Sequence, residues 1–254
     1  MIPIKGPKEI EGMRRACEAA AHVLNQLCEL VQPGRTTGEI DAASEMIMAE
    51  AGVRSAFFGY KNFPGQICIS VNEEVVHGIG GQRRLQYGDL VKLDVGVIRE
   101  GWIGDNAISV PAGMIDADTE RLCMVTEKIL NDVIDLARPG ARVGDLSAFI
   151  ESQAVSHGYS VVREFVGHGV GRKLHEEPQI PNFGRAGTGP RLKPGMILAI
   201  EPMINRGAAR VKVLADRWTV VTADGLPSAH FEHTVLVTEN APEILTWPRK
   251  TLLR

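Results

Sequence analysis

The strongest constraint on the fold is that the chain states one design twice. Between two apolar, helix-forming stretches it reads Pro33-Gly34-x-x-x-Gly38-Glu39-Ile40, and 106 residues later it reads Pro139-Gly140-x-x-x-Gly144-Asp145-Leu146. In each copy Pro-Gly ends a helix, the acidic residue suits the positive end of the next helix, and a glycine (Gly52 or Gly158) closes that helix. The pattern predicts helices over about Glu9 to Val31 and up to Gly52, then over about Thr119 to Ala137 and up to Gly158. The strands echo the helices. Gly88-Asp-Leu-Val-Lys-Leu-Asp94 parallels Gly195-Met-Ile-Leu-Ala-Ile-Glu201: a turn glycine, a β-rich run, then a carboxylate. We therefore expect an α+β fold with pseudo-two-fold symmetry, a single domain over residues 1–254. Its related halves, about 9–110 and 119–238, would each be a helix-turn-helix followed by antiparallel strands, with the strands sharing a sheet backed by the helices. Two copies are too few for a solenoid, which needs at least about three.

Composition decides which partners to set aside. With a net charge of −3 and a pI near 6.2, the chain has no bulk attraction for nucleic acid or an anionic membrane. No run approaches the roughly 18 apolar residues of a membrane span, and the first residues lack the pattern of a signal peptide. A cytoplasmic protein is expected. Cys17, Cys28, Cys68 and Cys123 are scattered without a C-x-x-C pair, which fits reduced thiols better than disulfides or a zinc ribbon.

Chemistry concentrates on carboxylates in strands. Val91 to Ile98 and Trp102 to Val110 read as one hairpin turning near Arg99-Glu100, which would set Asp94 opposite Asp105. Opposite residues share a face with Cβ atoms roughly 5 Å apart, close enough to hold a pair of metal ions about 3.5–4 Å apart. A turn one residue longer would put them on opposite faces. Glu201 and Glu232 also lie in β-rich runs, where an unpaired charge is costly to bury. Any one of these has a bland alternative as a solvent-facing member of a strand alternation. Their recurrence at equivalent places in two halves favours a shared site. Trp218 to Thr222 and His230 to Thr238 flank Asp224-Gly225, a hairpin signal. Among the histidines, His22 and His157 sit in helical contexts and read as structural. His77-Gly-Ile-Gly and Gly-His168-Gly-Val-Gly match each other, and His175 follows closely. Glycine beside a histidine lets backbone and ligand approach. A lone motif of this kind is an exposed turn more often than a site.

In order and spacing these residues resemble the type I methionine aminopeptidases, the short form of the pita-bread metallopeptidase family. The resemblance spans nearly the whole chain. It rests on Asp94 with Asp105, Gly167-His168-Gly-Val-Gly171, His175-Glu-Glu-Pro178, Ile200-Glu201-Pro202 and Phe231-Glu232-His233-Thr234. It implies a pita-bread fold and a dinuclear centre in which Asp105 and Glu232 bridge both ions, Asp94 completes one, and His168 with Glu201 completes the other. Hard carboxylates plus one imidazole suit Co, Mn, Fe(II) or Zn, and the lack of thiolate argues against a structural zinc site. The resemblance also implies a monovalent cation near Asn72 and Ser228.

The same resemblance implies roles. Glu201 would accept and relay the proton of the attacking water, His175 would stabilise the tetrahedral oxyanion, and His77 would contact the scissile amide. Binding of the substrate's free α-amine on the Asp94 side would restrict cleavage to the first residue. Tyr60, Phe63, Cys68 and Trp218 would wall a methionine pocket, with Phe57 and Leu174 alongside. Phe57, Phe63, Leu174 and His230 depart from the commonest family pattern, although the wall residues stay apolar. The implied function is removal of initiator methionine from nascent polypeptide N-termini by hydroxide attack on the first peptide bond. A small second residue would be preferred, the ribosome is a candidate partner, and the protein is expected to be a monomer. Alternatives are a related dinuclear exopeptidase with another first-residue preference, or a non-catalytic pita-bread binding module, which would be expected to lose ligands. The short stretch from His175 to Glu201 disfavours the type II form, and the few residues before the first helix make a prolidase-like amino-terminal domain unexpected.

Overall fold

The repeated helix signals fold as α1 (Pro7–Cys28), α2 (Thr37–Glu50), α3 (Ala117–Ile134) and α4 (Val143–Ser156) in a computed structural model that describes residues 2–247. Each motif's acidic residue lies at the third helical position and reaches back over the helix start. Glu39 accepts the Thr36 N–H at 2.7 Å while the Thr36 hydroxyl accepts the Glu39 N–H at 3.1 Å, and Asp145 accepts the Arg142 N–H at 2.7 Å. These bonds satisfy donors that a helix leaves open. The first helix ends earlier than expected: Leu30 and Val31 close with tightened bonds to the carbonyls three residues back. Met13, Ala16, Cys17, Ala20, Leu24 and Leu27 form the buried stripe of α1 at helical spacing. Leu24, Ile40 and Leu93 join Leu130, Leu146 and Leu198 in one continuous core, each such side chain contributing roughly 2 kcal/mol by burial.

The long hairpin is formed by Asp89–Arg99 and Trp102–Ala112, with α1 packed across both strands. Its register corrects one expectation. Asp94 pairs with Ala107 and Asp105 pairs with Gly96, so the two aspartates are diagonal neighbours rather than direct partners. The cause is the turn. Arg99 pairs with Trp102 around the two-residue loop Glu100-Gly101, whose φ angles of 52° and 78° are the pair of positive values that a type I′ turn needs. The turn centre thus lies one residue later than expected. This slides the register by two and keeps both carboxylates on one face, at a Cα separation of about 7–8 Å for such diagonal pairs.

All strand pairing is antiparallel, and the expected sheet is built in parts. The hairpin sheet adds Arg54–Ser55 and Cys68–Val71. A five-stranded sheet runs Glu243–Ile244, His233–Leu236, Ile197–Ile200, Val166–Gly169, Glu176–Pro181, and two three-stranded sheets flank these. The larger two are joined where Ala107 bridges Glu232: the Glu232 N–H donates to the Ala107 carbonyl at 2.9 Å, and the Thr234 hydroxyl donates to the Asp105 carbonyl at 2.7 Å.

Three further strand expectations change. Glu201 stands just past the end of Ile197–Ile200, where Pro202 has no N–H to continue the ladder. The run from His230 to Thr238 is two strands, Ser228–His230 and His233–Leu236, broken at Phe231-Glu232. Asp224-Gly225 does not close a hairpin. Val220–Thr222 pairs with Val211–Val213 and Glu74–Val76, whereas Ser228–His230 pairs with Met203–Asn205. The Asp224 carboxylate accepts the N–H groups of Ala208 and Leu226 at 2.6 and 3.1 Å, so the turn passes the chain between sheets. The four cysteines form no disulfide and are buried, and no helix among the described residues is long and apolar enough to cross a membrane.

Candidate metal centre and substrate pocket

Where the hairpin sheet meets the five-stranded sheet, Asp94, Asp105, His168, Glu201 and Glu232 face a common cavity of about 300 Å³. Ligand atoms of Asp105, His168 and Glu232 lie within 4.8 Å of one another. The His168 Nε2 is 3.8 Å from an Asp105 oxygen and 3.5 Å from a Glu201 oxygen. Its Nδ1 lies 3.0 Å from the Gly169 carbonyl, which fixes the proton on Nδ1 and leaves the Nε2 lone pair facing the carboxylates. Asp94 and Asp105 each hold a buried oxygen with no hydrogen-bond partner. Acceptors orphaned in this way, beside an imidazole presenting a lone pair, fit a divalent cation and nothing the protein itself supplies.

The electrostatics point the same way. Burial first, then Glu201 against an opposing pull from His230, pushes Asp94 up to about 7. Burial, with the charges of Asp94 and Glu201, holds Asp105 well above the ordinary carboxylate range, and burial raises Glu201 likewise. Like charges crowded out of water disfavour ionisation, and a bound cation reverses that logic. His168 is pushed down to about 3 by burial, with His175 adding, so it stays neutral and able to ligate.

The rest of the cavity divides into a rim and a wall. His175 stands at the mouth, its pKa lowered by partial burial and then by Lys61 nearby, with Nδ1 2.8 Å from the Tyr60 hydroxyl. His77 is pushed down to about 4 by burial, then by His230 and His175, and its ring meets Phe165 and Trp218 edge-on at 5.2 and 6.2 Å. Phe63 and Trp218 pack edge to face at 5.0 Å, and Cys68 and Leu174 complete the apolar side. Phe57 serves both readings open to an aromatic there. Its ring lines the cavity and also lies directly over Gly96, where any Cβ would collide with it.

Some residues at the site carried no sequence motif. Val166, Met203 and His230 each lie two positions from His168, Glu201 and Glu232, and Phe165 precedes Val166. Strand alternation was the available signal for Val166, because residues two apart in one strand share a face, whereas strand breaks separate Met203 from Glu201 and His230 from Glu232. His230 stood out only as a departure from glutamine. It is buried, with Nε2 3.5 Å from the second Glu201 oxygen.

Residues 11–239 match the model of metallopeptidase family M24. The chain is 48% identical over 246 residues to methionine aminopeptidase 1 of Bacillus subtilis, covering 97% of this chain and 99% of that protein. It is 47% identical over 246 residues to the methionine aminopeptidase of Clostridium perfringens, with 97% and 99% covered. Among solved structures, the methionine aminopeptidase of Thermotoga maritima superposes with a TM-score of 0.96 at 45% identity, covering 98% of this chain and all of that one. The prolidase of Pyrococcus furiosus superposes with a TM-score of 0.80 at 25% identity, over 97% of this chain and 66% of that one.

Proposed function

This chain belongs to metallopeptidase family M24, and from that premise we infer a metal-dependent methionine aminopeptidase, a hydrolase releasing the first residue of a polypeptide. The observation that carries the reading is the set of Asp94, Asp105, His168, Glu201 and Glu232 at the end of an apolar-walled cavity. We read the chain as one catalytic domain of two related halves, with each half lending carboxylates to the site. Asp94, Asp105, His168, Glu201 and Glu232 would together hold two divalent ions. Co, Mn, Fe(II) and Zn all suit these donors. Its substrates would be nascent chains beginning with methionine, met in the cytoplasm at or near the ribosome by a monomer.

When bound, divalent ions would supply Lewis acidity, lowering the pKa of water and polarising the scissile carbonyl. The chain's own groups do the rest. Glu201, an ionised carboxylate once a cation offsets the cost of its burial, takes a proton from water and passes it to the leaving amine. With the Tyr60 hydroxyl, 2.8 Å away, donating to His175 Nδ1, the His175 Nε2 would carry hydrogen and be free to donate to the developing oxyanion. His77, held neutral by burial, meets the amide from the opposite wall. Phe63, Trp218, Cys68 and Leu174 exclude water around the methionine side chain, and Tyr60 closes the wall beside His175.

The test is a set of peptides that differ only in residue one, assayed with the metal-loaded protein. Methionine peptides should be cleaved at least about tenfold faster than leucine or proline peptides, in line with discrimination by apolar pockets. Equal cleavage of all three would defeat the methionine assignment.

A further inference from the structure

Lys92 lies in the same strand as Asp94, is 1% exposed, and does not line the metal cavity. A buried lysine needs a reason, since its amine must find acceptors. Its Nζ donates to the Asn72 backbone carbonyl at 2.7 Å. That carbonyl also accepts the Ser228 N–H at 3.1 Å. Two donors use both lone pairs of a carbonyl oxygen. Asn72 itself is tightly held, with φ at 54°, its side-chain amide donating to Asp89 at 2.8 Å and its side-chain oxygen accepting the Leu90 N–H at 2.8 Å. The Ser228 hydroxyl donates in turn to the Ile204 carbonyl at 3.1 Å.

Asn72 and Ser228 are the residues near which the family resemblance implies a monovalent cation. Such an ion is held by carbonyl oxygens, and here the Asn72 carbonyl is already taken. The residues present do not fit the ion. We propose that the Lys92 side chain is the molecule's own replacement for a bound monovalent cation, so that neither fold nor turnover needs free sodium or potassium. The amine does what an ion would do there. It joins the turn leading into His77, the strand carrying Asp94, and the Ser228–His230 strand leading to Glu232.

The test takes the divalent-loaded protein into potassium, sodium or tetramethylammonium chloride at equal ionic strength, the last ion being too large for a carbonyl-lined site. The melting readout is independent of the peptidase assignment. Wild type should melt at one temperature in all three salts and cleave a methionine peptide at rates within about twofold. Lys92→Ala, which opens the space, should melt lower in tetramethylammonium and recover in potassium or sodium. Lys92→Met, which fills it without a donor, should melt lower with no recovery. A wild-type protein that melts lower or slows more than about fivefold in tetramethylammonium would overturn the proposal. So would a thallium(I) anomalous peak beside the Asn72 carbonyl in wild-type crystals, or a folded Lys92→Ala indifferent to the three salts. If Lys92→Ala does not fold, the wild-type salt series and the thallium map still decide.

Discussion

Single residues divide into those the sequence identifies by type and spacing and those only the structure finds. The aspartates, His168, Glu201 and Glu232, which the structure brings to one cavity, stood out because charged side chains are unusual in β-rich apolar runs. His230 was not legible in this way, because its meaning is a 3.5 Å approach to Glu201 that no local pattern encodes. Glu201→Gln separates chemistry from folding. The amide cannot take a proton, so kcat should fall by about 10²–10⁴-fold at full metal occupancy. The metal-free variant should melt no lower than wild type, because a neutral group replaces a carboxyl that burial makes costly to ionise. Near-normal kcat with both ions bound would rule Glu201 out as the proton acceptor. Tyr60→Phe keeps the wall but removes the proton that sets the His175 tautomer. We expect kcat to drop about tenfold with KM changed less than about twofold. A change confined to KM would mean that Tyr60 serves only the pocket.

For the elements, local signals were sound and pairing was not. Helices α1 to α4 could be read because capping and Pro-Gly stops act within a few residues, as the matched Glu39 and Asp145 bonds show. Strand partners are chosen by distant chain, which is why Asp224-Gly225 looked like a hairpin and instead links two sheets. The Asp94/Asp105 register was misplaced by a turn detail. Glu100-Gly101, not Arg99-Glu100, carries the two positive φ angles. Gly101→Val tests how far that turn governs the site. A β-branched residue at φ 78° costs roughly 1–2 kcal/mol, and its Cβ would also meet the Arg172 guanidinium, which is mobile enough to yield. The urea midpoint should fall accordingly, and calorimetric affinity for the divalent ion should weaken, since the turn sets the register of both aspartates. An unchanged midpoint would show that α1 and the neighbouring strands, not the turn, hold the hairpin.

For the whole molecule, folding drives carboxylates from two sheets together before any cation compensates them. Asp94 is pushed up to about 7, and Asp105 and Glu201 lie well above the usual range. A carboxyl raised in the folded state keeps a proton that the unfolded chain releases. Its contribution is complete below the unfolded value of about 4 and is lost as pH climbs through the folded value. His168 at about 3 and His77 at about 4 act in the opposite sense, but only below about 6.5, where the unfolded chain still protonates them. Lys92, lowered to about 7 by burial against the pull of Glu74, gains stability above that pH, and does so with or without divalent ions. Comparing metal-loaded with chelated protein above about pH 6.5 therefore isolates the carboxylates. The gap in stability should widen as pH rises to about 8.5, by about 1.4 kcal/mol per pH unit for each proton the ions displace. Melting curves over this range, with and without chelator, measure it directly. A gap that stays constant with pH would mean that the ions stabilise the fold by some route other than these buried carboxylates.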